Sequence, residues 1–154
     1  MSKVIIDMTL SVVGFIAGPN ERASQPFDDR TAIRLHEWLL GRSHPYRAGS
    51  FLRPQGRNRD FMDAMFRTAG ALLTGRRTCD LVNGCGGSHP VPGLSVVVLT
   101  HAPPTDVPKG NSSFTFCADL RSAVDAARKE AKEKDVMVHG RQYDPATPSR
   151  RSCR

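Results

Sequence analysis

Gly70-Ala71-Leu72-Leu73-Thr74-Gly75-Arg76-Arg77-Thr78 reads as a short buried strand that turns abruptly into a helix, with two arginines at the turn. A helix start offers unpaired backbone N–H groups and a partial positive charge, which suits a phosphate. Arginine adds a planar fork that grips phosphate oxygens through two bonds. Thr78 is placed to cap the helix or to give its hydroxyl to the same anion. The plainer reading, an ordinary strand-to-helix turn with solvated arginines, stays open on these residues alone.

Working outward, Lys3 to Val12 is rich in Val, Ile and Thr and predicts a first strand, central and buried. A glycine-punctuated loop follows from Gly14 to Asn20. Thr31 to Leu40 predicts a short helix that buries Ile33, Leu35, Trp38 and Leu39, and Gly41 to Arg59 a loop with five arginines and no acid. Asp60 is a suitable N-cap for a helix with Phe61, Met62, Met65, Phe66 and Ala69 on one face, stopped by Gly70. After the opening strand, a helix runs to about Val82 and Asn83 to Gly87 makes a flexible turn. Leu94 to Thr100 and Ser113 to Cys117 predict two further strands. Asp119 caps a helix with Leu120, Val124, Ala127 and Ala131 at helical spacing, and Val136 to Gly140 is a last strand. This alternation predicts an α/β domain with a largely parallel sheet. Ligands of such sheets bind beyond the carboxyl ends of the strands, where Gly75, Thr100 and Gly140 all fall.

A chain of 154 residues with 39% apolar and 24% charged residues is long enough for one domain with a real core. Its formal charge of +7 favours anionic partners. Residues 141–154 contribute four Arg against one Asp, so the body is only mildly basic and suits a small anion better than a long polyanion. The cysteines Cys79, Cys85, Cys117 and Cys153 lack the spacing of a zinc or redox motif. Asp7 interrupts the apolar N-terminal run, which resembles neither a signal peptide nor a membrane span, so a cytoplasmic setting is expected. The histidines form no metal-ligand set. Thr9 and Ser11 have no visible base partner for a nucleophilic triad.

The set "MTLSVVGFIAGPN", "LHEWLL", "GALLTGRRTCD", "GCGGSHPVP", "VVVLTHAPP" and "KDVMVHG" resembles the dihydrofolate reductase-like superfamily, in the branch of the riboflavin-biosynthesis deaminase-reductase C-terminal domain. The resemblance covers residues 1–140 and implies a dihydrofolate reductase-like fold, a mostly parallel sheet flanked by helices. It implies an NADPH-dependent reductase that gives a hydride to a carbonyl or imine of a small heterocyclic or phosphoribosyl substrate, as 5-amino-6-(5-phosphoribosylamino)uracil reductases do. Gly75, Arg76, Arg77 and Thr78 match the turn that holds the cofactor's phosphates. Leu99, Thr100 and His101 match the strand end beside the adenosine 2′-phosphate, which would favour a charged His101. Ile16 and Ala17 match loop positions at the nicotinamide carboxamide, and Gly140 the first of two glycines that let the backbone approach the cofactor. No residue is assigned the chemical step.

The sequence departs from that pattern. Val13 stands where the family favours Asp, Thr74 where it has Met before the Gly-Arg turn, Cys79 where it has an aromatic, Cys85 where it has Trp and Ala102 where it has Arg. After Gly140 the family continues with a second glycine, a helix and further strands. Here residues 141–154 contain two prolines and no apolar period, and read as a disordered tail. Codons for that tail can be chosen so that the frame shifted by one base reads ANTIQQRLRAGLV, close to the family's continuation, which suggests a frameshift after Gly140. The expected domain therefore spans 1–140 and lacks the last helix and strands. Two alternatives stand beside the reductase: a catalytically inert truncated fragment, and a basic nucleic-acid-binding protein, disfavoured because stacking aromatics are scarce. A small-molecule substrate is the expected partner, a membrane is not, and a homodimer is left open.

Overall fold

The structure is a computed structural model and describes residues 2–14, 16, 34–41 and 52–140. Five strands, β1 (Val4–Ile6), β2 (Ala69–Gly75), β3 (Ser95–Leu99), β4 (Phe114–Cys117) and β5 (Asp135–His139), form one sheet in the order β1-β5-β2-β3-β4. Every pair is parallel, so the α/β class expected from the sequence is the one observed. A short 3₁₀ turn (Arg34–His36) runs into α1 (Glu37–Leu40). Next come α2 (Arg57–Thr68), α3 (Arg76–Leu81) with a 3₁₀ segment at Asn83–Gly87, and α4 (Leu120–Ala131).

Parallel strands are covered on both faces, which is why β2 and β3 read as nearly continuous apolar runs. Side chains alternate between faces. On one face Leu72, Val96, Val98 and Met137 pack with Cys79 and Leu94. On the other, Ala71, Leu73, Val97 and Val136 pack against Ala123, Ala127 and Ala131 of α4. Those three alanines recur every fourth residue and are at most 3% exposed, so the small stripe lets α4 lie close on the sheet. Asp119 caps α4 as expected, its carboxylate accepting from the Ser122 N–H at 2.9 Å. That bond holds the Asp119 carboxyl below its ordinary pKa. Leu120, expected on the buried stripe, is exposed, because the apolar face begins at Ala123.

The first strand departs most from expectation. It spans only Val4–Ile6 and lies at the sheet edge beside β5. Ile6 is 71% exposed. Beyond it Val12 and Val13 are exposed, and the chain turns at Ser11–Gly14, where the Gly14 N–H donates to the Ser11 carbonyl. β-Branched composition favours a strand but does not say where in the sheet the strand falls; that depends on β5, which pairs with β1 from the far end of the described chain.

The second helix also differs. It starts at Arg57 with Gly56 at the N-cap position, and Asp60 sits in its first turn rather than capping it, where its charge favours the helix dipole. Phe61 is half exposed and stacks edge-on with Trp38 at 6.4 Å. Met62 and Phe66 are buried with Leu52, against half-buried Trp38 and Leu39. The helix passes straight into β2 at Ala69, so Gly70 is not its stop. Gly70 instead lies under the end of α4: a Cβ there would sit 2.6 Å from the Ala131 carbonyl oxygen and 2.7 Å from Lys134 Cβ. Of the helix expected at Thr31–Leu40, Thr31 to Ile33 lie outside the described residues, as do Gly18 to Asn20, most of the arginine-rich loop and the tail 141–154. Among the described residues no helix is long and apolar enough to cross a membrane.

Candidate functional site

Three neighbouring strands end side by side. Gly75 is in register with Leu99 on β3, and Thr74 with His139 on β5. Gly140, Gly75 and Thr100 therefore line one edge of the sheet, at the place where β5 returns between β1 and β2. Gly140 has φ +155, a backbone state that side chains rarely adopt. A Cβ on it would lie 3.6 Å from Thr78 Oγ1 and 3.8 Å from the Gly75 nitrogen. The sequence-predicted residues Gly75, Thr78, Leu99, Thr100 and Gly140 are thus brought together.

The arginine turn behaves differently. Gly75 occupies the N-cap position of α3 in an extended conformation, with no side-chain cap, so Thr78 does not cap the helix. Its hydroxyl faces Gly140 instead. Arg76 is engaged inside the chain: its Nε donates to both carboxylate oxygens of Asp80 at 2.7 and 2.9 Å, and its Nη1 to the Ala102 carbonyl. The fork therefore ties α3 to the chain after β3 rather than standing open to an anion. Arg77 and His101 are exposed. Thr100 holds the next turn, its hydroxyl bonded to both the N–H and the carbonyl of Ala102 at 3.1 Å. Ile16 is half-buried, and Ala17 lies outside the described residues.

Beneath the strand ends a cavity of about 170 Å³ opens between the sheet, α2 and α3. Its wall is largely apolar, formed by Leu52, Met62, Phe66, Leu72, Val96 and Phe114 among others. The polar groups that line it among the described residues are Thr74, Thr78, His89 and His139, with the thiols of Cys79 and Cys85; none of the described residues lining it is Asp, Glu, Lys or Arg. Thr74 is 5% exposed, and among the described residues its Oγ1 has no hydrogen-bond partner.

The loop that carries His89 is firmly held. Its N–H donates to Ser112 Oγ at 3.0 Å, its ring Nδ1 accepts from the Val91 N–H at 3.0 Å, and its ring meets Phe66 edge-on at 6.2 Å. Gly87 and Gly110 pack backbone on backbone; a Cβ on Gly87 would lie 2.6 Å from the Lys109 carbonyl carbon. Because Nδ1 accepts, the proton of neutral His89 sits on Nε2. Burial, followed by the neighbouring His139, pushes the His89 pKa down to about 4. Burial also lowers His139, opposed by the charge of Asp7. Both imidazoles are uncharged at neutral pH. Burial raises the pKa of the Cys79 and Cys85 thiols, which keeps them protonated and poor nucleophiles. Among the described residues no group of three His, Cys, Asp or Glu side chains could hold a metal ion.

Sequence reasoning assigned neither His89 nor Thr74 to a site. The available signal was a lone hydroxyl closing an otherwise apolar strand. No family model matches this chain, and no curated protein matches it.

Proposed function

We propose that this protein is an NADPH-dependent reductase that transfers a hydride to a carbonyl or imine of a small heterocyclic substrate. The observation that carries the reading is the alignment of Gly140, Gly75 and Thr100 at the ends of three adjacent parallel strands. In open α/β sheets such an edge, at a reversal of strand order, is where nucleotides bind. Glycines at two of the three ends let a pyrophosphate approach the backbone. The resemblance of residues 1–140 to the dihydrofolate reductase-like superfamily supports the same reading.

The cofactor supplies the hydride, and the chain binds, orients and excludes water. Leu99 to His101 and the exposed Arg77 serve the adenosine end, with Arg77 a cation for the 2′-phosphate, while the Arg76 fork ties α3 to Asp80 and the Ala102 carbonyl. A cytoplasmic setting and a small-molecule partner belong to the same reading. The test is a titration of NADPH and NADH against the native chain and Arg77→Ala. A larger loss for NADPH supports the assignment; equal losses remove Arg77 from the 2′-phosphate. A catalytically inert domain is the second reading, favoured by the engaged Arg76 and by exposed Val13 where the family has a carboxylate. It predicts residual or no NADPH binding and no turnover.

A further inference from the structure

We infer that β1 is a self-association edge: it pairs antiparallel with β1 of a second copy of this chain, Ile5 opposite Ile5 on the two-fold axis and Lys3 of each copy opposite Asp7 of the other. The inference goes beyond the nucleotide reading and does not rest on it.

The backbone comes first. Among the described residues β1 pairs with β5 alone, and Val4, Ile5 and Ile6 are all exposed. The Lys3 N–H donates to Asp135 Oδ1 at 2.8 Å, and the Lys3 carbonyl accepts from the Val136 N–H at 2.8 Å. Lys3 therefore turns its backbone groups toward β5. That direction alternates along a strand, so Ile5 follows Lys3, and Val4 and Ile6 turn theirs to the open side. An edge of this kind is a template for pairing with another chain. With the axis at Ile5, Val4 of one copy faces Ile6 of the other, and each such pair exchanges N–H···O bonds in both directions. Every outward backbone group of β1 is then used.

Charge selects the register. Lys3, Ile5 and Asp7 share one face of the strand, since side chains alternate. Opposite charges directly across an antiparallel pair attract, and like charges repel. Lys3 and Asp7 stand equally far from Ile5, so an axis there brings them together at both ends of the pairing. An axis at Val4 or at Ile6 instead sets Lys3 or Asp7 against Ile5. A parallel copy in register stacks Lys3 on Lys3. Among the described residues neither Lys3 nor Asp7 is in an ion pair. Charges on an edge strand ordinarily deter pairing; here their signs and spacing make the strand complementary to itself. On the other face Val4 and Ile6 of the two copies cover each other. The contact is small. Interfaces below about 1,200 Å² of total surface form the transient class, so a three-residue strand predicts a dimer at high micromolar rather than nanomolar concentration.

The test is sedimentation velocity of the full chain over a micromolar concentration series, with Lys3→Glu and Asp7→Lys. The native chain should pass from monomer to dimer and stop there. Each variant alone puts like charges at both ends and should self-associate at least about tenfold more weakly. An equimolar mixture of the two variants restores opposite charges at both ends, and should dimerise as the native chain does. Amide hydrogen exchange of the native chain is the second measurement, independent of how the variants fold. The amides of Val4 and Ile6 should gain protection as concentration rises. A native chain that stays monomeric, assembly beyond the dimer, variants that dimerise as well alone as together, or folded variants whose mixture does not recover would each overturn the inference. So would Val4 and Ile6 amides already fully protected in dilute monomer, which would mean that another segment of the same chain covers this edge.

Discussion

Acid should unfold this protein through His89, and the size of the effect follows from its surroundings. The unfolded chain binds a proton at the ordinary value of 6.5, whereas the folded protein holds His89 neutral down to about 4. Above 6.5 the ring is neutral in both states and pH has no leverage. Between 6.5 and about 4 only the unfolded chain takes up the proton, so stability falls as pH falls, and below about 4 the loss levels off. Each tenfold change in proton affinity is worth about 1.4 kcal/mol, so the whole interval from 6.5 to about 4 amounts to at most about 3.5 kcal/mol. That is a large share of the roughly 5–15 kcal/mol that holds a typical domain together. The perturbation is His89→Asn, whose amide oxygen takes the place of Nδ1 as acceptor for the Val91 N–H but cannot titrate in this range. The assay is urea unfolding of native chain and variant at a series of pH values. The variant should be less stable near neutrality, having lost the ring contact with Phe66, and the gap should close as pH falls toward 4. His139, lowered by burial in the same direction, leaves a residual slope in both proteins. Parallel pH profiles for the two would refute the argument.

Gly70→Ala should cost about 1–3 kcal/mol, as overpacking does, because its Cβ has backbone of Ala131 within 2.8 Å; the urea midpoint reads it, and an unchanged midpoint would mean that α4 is not seated on β2 as described. Asp119→Ala should lower the melting temperature by removing the cap on the Ser122 N–H, and Asp119→Asn, which keeps an oxygen acceptor, should recover most of the loss. Gly140→Ala should weaken NADPH binding, since it strains a backbone at φ +155 and places a methyl between Thr78 and Gly75; unaltered affinity with retained fold would take Gly140 out of the site.

The parts of the molecule legible in the sequence were those whose signal is local. The apolar runs of β2 and β3, the cap at Asp119 and the glycine just after β5 all declare themselves within a few residues, and together they place the three strand ends. What was not legible depended on partners distant in the chain. The edge position of β1 is decided by β5, the role of Gly70 by the end of α4, and the engagement of Arg76 by Asp80 and the Ala102 carbonyl. The cavity is the extreme case. Thr74, His89 and His139 come from two strands and a loop, and the silence of Thr74's hydroxyl is visible only once everything around it is in place.

Whether the ends of β5, β2 and β3 form one nucleotide site is tested most directly by a backbone amide NMR titration with NADPH. The amides of Gly75, Thr100 and Gly140 should shift together along one saturation curve, and NADH should saturate the same amides at higher concentration. Shifts confined to other parts of the chain, or amides of the three strand ends that stay unmoved at saturating NADPH, would contradict it.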